Sequence, residues 1–192
     1  MIEKDIKEET GIKISFNNKN KMADKNIDTK YKIEVFEKEG FFDAVGEGLK
    51  KEIAELGVNG VELIKFYQAY YIFGNLDYGR LIFIAENLLV DRITQDYNIA
   101  NSSKNTESQD FYVVEVKHNP GVMDAVEESA MKAIRDMGMA TVNSVRTAKK
   151  YIIKGKISKE TLNLICDKLL YNKVVQHIVE SDEGIEEKVN YI

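Results

Sequence analysis

The sequence predicts an α+β protein built from one unit used twice, and three observations carry that prediction. Shifting the chain by 81 positions, the distance from Asp43 to Asp124, superimposes one half on the other without a gap. Each half opens on an alternation of apolar and polar residues and continues with apolar residues at helical spacing. Capping residues and glycines recur at the ends of those helical stretches.

The elements follow in order. Tyr31 to Val35 has the period of a half-buried strand, and its counterpart begins at Tyr112. Gly40 and Gly121 are turn residues ahead of a helix. Asp43 and Asp124 are its N-caps, and Glu127, three residues beyond Asp124, completes a capping box. Val45, Leu49, Ile53 and Leu56 form the apolar stripe of that helix, which Gly57 or Gly138 ends. Two strands then follow at 61–67 and 69–74, with a turn near Ala69; their counterparts are 142–147 and 149–154. Asp77 and Ser158 cap a second helix with stripes Leu81, Ile84, Leu88 and Leu162, Ile165, Leu169. A last strand covers 93–99 and 174–180. The order is βαββαβ, that of ferredoxin-like α+β units.

The 192 residues divide accordingly. A polar tail spans 1–29, the first repeat 30–100, a linker 101–109, the second repeat 110–181 and an acidic tail 182–192. The tail and linker segments carry too little apolar surface to offset their ordering entropy, so the N-terminal one is expected to be flexible. No apolar run approaches the roughly 20 residues that span a bilayer, and no signal peptide opens the chain. With a single cysteine, Cys166, the expectation is a cytoplasmic protein without a membrane partner. A net charge of -5 argues against a nucleic-acid partner.

A sheet with both helices on one face leaves the other bare. A unit of about 70 residues is also marginal alone, burying only about 60% of its unfolded surface. The expectation is therefore two repeats packed sheet to sheet as a pseudo-twofold dimer. Phe36, Ile64, Phe66, Tyr71 and Phe73 are assigned to the bare face of the first repeat. Lys117, Val145, Thr147, Ile152 and Lys154 take the matching places in the second. The first face is richer in aromatics than the second can match. Phe36, Phe66, Tyr67, Tyr71 and Phe73, with Arg146 and Lys150 from a basic run, are the candidate interface to another protein.

No residue is assigned a catalytic, cofactor-binding or metal-ligating role. His118 and His177 stand apart in sequence, opposite Glu37 and Asp96 of the other repeat, and read as surface or interface residues. Cys166 aligns with Ala85 between core positions and reads as a buried thiol. Gly40 and Gly121 precede helix starts, where free amides can hold anions, but no glycine-rich nucleotide motif accompanies them.

Both repeats, about residues 30–180, resemble the PurS family, the small subunit of phosphoribosylformylglycinamidine synthase in purine biosynthesis. The residues that carry the likeness are Val116 to Asp124, with its Pro120-Gly121-Val122-Met123-Asp124 turn, and Leu169-Leu170-Tyr171-Asn172-Lys173-Val174-Val175-Gln176. The first repeat departs from the pattern: Glu39 replaces the proline, Phe41-Phe42 precedes Asp43, and Asp91 replaces the asparagine. The resemblance, read across both repeats, implies a non-catalytic structural subunit or domain. It would bridge a PurL-type synthetase and a PurQ-type glutaminase and support ammonia transfer, with ATP and magnesium belonging to the synthetase. In some lineages two such units are fused ahead of the synthetase, and this chain is similar to that arrangement. The second reading, from fold class alone, is a regulatory module that binds a small molecule between its repeats.

Overall fold

The computed structural model describes residues 29–100 and 111–179. The N-terminal tail apart from Thr29, the linker at 101–109 and the acidic tail at 182–192 lie outside the described residues. The first half runs β1 (Thr29–Glu37), α1 (Ala44–Glu55), β2 (Val61–Gly74), α2 (Tyr78–Ile84) and β3 (Gln95–Ala100). The second runs β4 (Phe111–His118), α3 (Ala125–Asp136), β5 (Val142–Gly155), α4 (Lys159–Ile165) and β6 (Gln176–Ile178). π-helical turns, Ala85–Leu89 and Cys166–Leu170, extend α2 and α4. All six strands form one antiparallel sheet in the order β3-β1-β2-β5-β4-β6, giving a mixed α/β structure.

Two expectations are corrected here. The strands at 61–67 and 69–74 are a single 14-residue strand, as are those at 142–147 and 149–154. From Val61 to Phe73 there is no Gly, Pro, Asn or Asp to turn the chain, and aromatic and β-branched residues favour continuation. The halves also do not stack sheet to sheet. They join edge to edge through β2 and β5, paired along their length from Val61↔Gly155 to Gly74↔Val142. Gln68 faces Lys149 in this ladder, and the two are also related by the 81-position offset. The pseudo-twofold relation between the halves therefore passes through that pair.

A continuous strand keeps its parity. Ile64 and Ile72 face the helices, with Phe66 and Tyr70 packed on the same side, while Ala69, Tyr71 and Phe73 cluster on the other. A turn at Ala69 would have exchanged the faces for half the strand. That is why Ile64, Phe66, Val145 and Thr147, expected on the bare face, point toward the helices or their caps instead.

The helices cover one face and bury two cores, each drawn from both halves. Ile33, Val35 and Ile72 of β1 and β2 pack with Leu81 and Ile84 of α2, but also with Ala130 and Ile134 of α3 and Val145 of β5. Val114, Val116, Tyr151 and Ile153 pack with Ile165 of α4, and with Leu49 and Ile53 of α1 and Ile64 of β2. The buried stripe of α1 is shorter than expected, because Val45 and Leu56 at its ends are exposed.

The ladder ends are tight. A Cβ on Gly74 would lie 2.2 Å from the Thr141 carbonyl oxygen, and one on Gly155 would lie 2.1 Å from that of Gly60. Only glycine permits this approach of backbone to backbone.

Because each core needs residues from both halves, a fragment of residues 1–100 is expected not to fold as a monomer. Size-exclusion chromatography with urea denaturation tests this; a monomer that unfolds cooperatively would contradict the shared-core arrangement.

Candidate functional site

The turns and caps at the two ends of the sheet are built alike, then diverge. Gly40, Gly57, Gly121 and Gly138 all have φ between 80 and 88°. Gly57 and Gly138 each close a Schellman turn, with Val58 N–H donating to the Ile53 carbonyl and Met139 N–H to that of Ile134. Asp43 accepts from Gly46 N–H at 2.7 Å and, through its second oxygen, from Phe66 N–H at 2.8 Å. That amide lies beyond the end of the β1 ladder, so the cap also satisfies an orphan strand donor.

In the second half this second task falls to Glu127, which occupies the position of Gly46. Its carboxylate accepts from Thr147 N–H at 2.8 Å and pairs with Arg146 at 3.0 Å. Glu127 therefore ties α3 to β5 and does not return to the Asp124 amide as a capping box would. Asp124, relieved of the strand amide, accepts from Val126 N–H and from the Thr147 hydroxyl, and its carboxylate lies 3.1 Å from His118 Nδ1. Burial works against its charged form, but the bonds from Thr147 and Val126 and the nearby His118 hold its carboxyl below the ordinary carboxylate value.

The hydroxyl bonds to the carboxylate and not to the imidazole, so His118 is not placed to take its proton as a catalytic base. His118 Nε2 lies 3.4 Å from Gln176, and His177 Nδ1 lies 2.9 Å from Asn119. Cys166 is buried, and burial pushes its thiol up to about 11, away from thiolate chemistry. Among the described residues no group of His, Cys, Asp and Glu is placed to hold a metal ion.

The feature that stands out is the sheet face without helices. At its centre Ala69 pairs with Ala148, both essentially buried. Over this low floor the charged side chains of β1, β4 and β5 meet. Lys32 Nζ lies 2.7 Å from both Glu34 and Glu115, and Lys150 lies 2.9 Å from Glu34. The Tyr71 hydroxyl donates to Glu115, and Lys117 and Lys30 sit 4.1 and 4.6 Å from the centre of its ring.

β1 and β4 are three strand spacings apart, about 14 Å. Lys32 and Glu115 join across that span over the Ala69–Ala148 pair, with the Tyr71 ring packed beside them. Burial opposes the charge on Lys32, but Glu115 and Glu34 overcome it and hold its ammonium above the ordinary value. Burial likewise opposes the Glu34 charge, and Lys32 and Lys150 hold it low. Burial, with Glu115 beside it, pushes the Tyr71 hydroxyl strongly up, so it stays a donor.

Of the residues selected from sequence as a partner surface, Tyr71 and Phe73 lie on this face with Lys150. Phe36 and Tyr67 join them as a ring pair 4.9 Å apart, with Lys150 over Tyr67. Phe66 does not: it packs against Tyr151 on the helix side. Arg146 is drawn toward α3 by Glu127. The centre of the network, Lys32, Glu34 and Glu115, was not selected. Glu34 and Glu115 occupy matched places in the two halves, which is the signal that could have found them.

The class these features define is a mixed α/β protein with helices on one side of a six-stranded antiparallel sheet and a charged, aromatic face on the other. Residues 112–181, from β4 through β6, match the family model PurS, described as phosphoribosylformylglycinamidine (FGAM) synthase. The match links that half to FGAM synthase of purine biosynthesis and does not extend to residues 29–100. No curated protein matches the chain. Among the described residues no helix is long and apolar enough to cross a membrane.

Removing one member of the buried charge network strands the others. Lys32→Met is expected to lower unfolding stability by about 3–5 kcal/mol in urea titrations, with part of the loss recovered in Lys32→Met/Glu115→Gln.

The pH dependence has two arms. Glu34 is depressed when folded, so its contribution is present above the ordinary 4.5 and is lost as pH falls through the lowered value. Lys32 is raised, so its contribution is present below the ordinary 10.5 and is lost as pH climbs through the higher folded value. Urea midpoints against pH should show both arms, with the alkaline one flattened in Lys32→Met.

Proposed function

We propose that the chain is a non-catalytic structural subunit or domain of FGAM synthase, made of two PurS-like units in tandem. The observation that carries this reading is the family match at 112–181. It is supported by the recurrence of the same element order in 29–100, down to the 12-residue length of α1 and α3. The ladder of β2 and β5 about Gln68 and Lys149 is what a covalent pair would use if each unit serves as the other's dimer partner.

In this role the chain works in the cytoplasm, bridges a PurL-type synthetase and a PurQ-type glutaminase, and supports ammonia transfer between them. ATP and magnesium are handled by the synthetase. Phe36, Tyr67, Tyr71, Phe73 and Lys150 form the partner surface, whose rings are of the types enriched where proteins meet.

Co-expression with a PurL-type synthetase and a PurQ-type glutaminase tests the proposal. A complex that co-purifies and forms FGAM from glutamine only when this chain is present is the expected result. Failure of the purified chain to bind either subunit, with glutamine and nucleotide supplied, would overturn it.

A further inference from the structure

A second surface, away from the centre of the bare face, lies where β1 ends and β2 runs on beyond it. The β1–α1 turn is held firmly there. Lys38 N–H donates to the Thr94 carbonyl, Phe41 N–H donates to the Lys38 carbonyl, and Lys38 Nζ caps the Arg92 carbonyl at 2.6 Å. On this fixed backbone Phe41 and Phe42 are 46% and 75% exposed. A cavity of about 400 Å³ opens next to them, its apolar walls formed by Phe36, Phe41, Leu63 and Phe66. Glu37, Glu39, Asp43 and Glu47 line it too, against Lys38 and Lys65. Four carboxylates against two ammonium groups leave the rim with a net negative charge.

The matching places in the second half do not repeat this chemistry. Leu63, Phe66, Glu37 and Glu39 correspond to Ser144, Thr147, His118 and Pro120. A rigid turn that presents two phenylalanines to solvent beside an apolar cavity costs solubility with no return to the fold, since neither ring joins a core cluster.

We infer that this cavity is a docking site for a basic segment of a partner protein, one that inserts an apolar side chain between Phe41, Phe42 and Leu63 and sets Lys or Arg against Glu37, Glu39 and Glu47. The charge of the rim chooses this occupant over an acidic one. The preformed turn removes the ordering cost of binding. The inference rests on exposure, cavity and charge and does not depend on the FGAM synthase reading, although the cavity shares Phe36 with the proposed partner surface.

The test uses the full chain and a fluorescein-labelled hexapeptide, Leu-Phe flanked on each side by two arginines, with a version carrying glutamates in place of the arginines. Saturable anisotropy change with the arginine peptide alone is expected, weakening as salt is added. Phe42→Ser should weaken binding by about tenfold or more, and Glu47→Gln, at an exposed helix position, by less. Circular dichroism checks that both variants fold. Equal binding of both peptides, no binding of either, or binding indifferent to both substitutions would overturn the inference. So would self-association of the unliganded chain that Phe42→Ser abolishes, since the occupant would then be a second copy.

Discussion

The pairing of β2 with β5 is the constraint on which the rest of the structure depends. It fuses the sheets of the two halves into one, holds a single register from Leu63 to Phe73, and places α1 and α3 against elements of the opposite half. Neither core closes without it. The ladder tolerates no side chain at either end, where Gly74 and Gly155 press against the backbone of the partner connection. Long strands shared in this way solve the difficulty of a small unit whose own core is too thin.

The same ladder creates the charged face. Its crossing point carries the small residues Ala69 and Ala148, and over them, beside Tyr71, the side chains of Lys32, Glu34, Glu115 and Lys150 reach one another across four strands. Such a network offers modest net stability, because desolvation offsets much of the attraction, but it leaves little freedom in how the strands are registered. A slip of one residue would strand buried carboxylates without their ammonium groups.

What the sequence made legible was local. Caps at Asp43, Asp77, Asp124 and Ser158 and the stop at Gly57 and Gly138 rest on backbone demands within a few residues, and the structure places each at its helix end. The strand from Val61 to Gly74 carries no turn residue before its last position, so its continuity is written locally; what local sequence does not announce is the partner strand from the other half that pairs along it. From the turn expected near Ala69 came the inverted facing of Ile64 and Phe66 and the stacked arrangement of sheets. Lys32 and Glu34 are hidden from sequence for a related reason: in an alternating strand, charged residues at the polar positions read as solvated, and only the three-dimensional packing shows that they are buried. Glu127 likewise had the spacing of a capping box, and the orphan amide of Thr147 that claims it lies in a distant strand.

The shared ladder also bears on the birth of the protein. During synthesis the first half emerges with β2 unpaired along the edge that β5 will occupy, because its partner is dozens of residues from being made. A long aromatic strand with an open edge is an invitation to wrong pairing. Contacts this distant in sequence close late and slowly. The nascent chain thus passes through a window whose length is set by translation speed, and a stalled ribosome or an early release of the first half would bring neighbouring copies together through the very edge that makes the finished molecule one body.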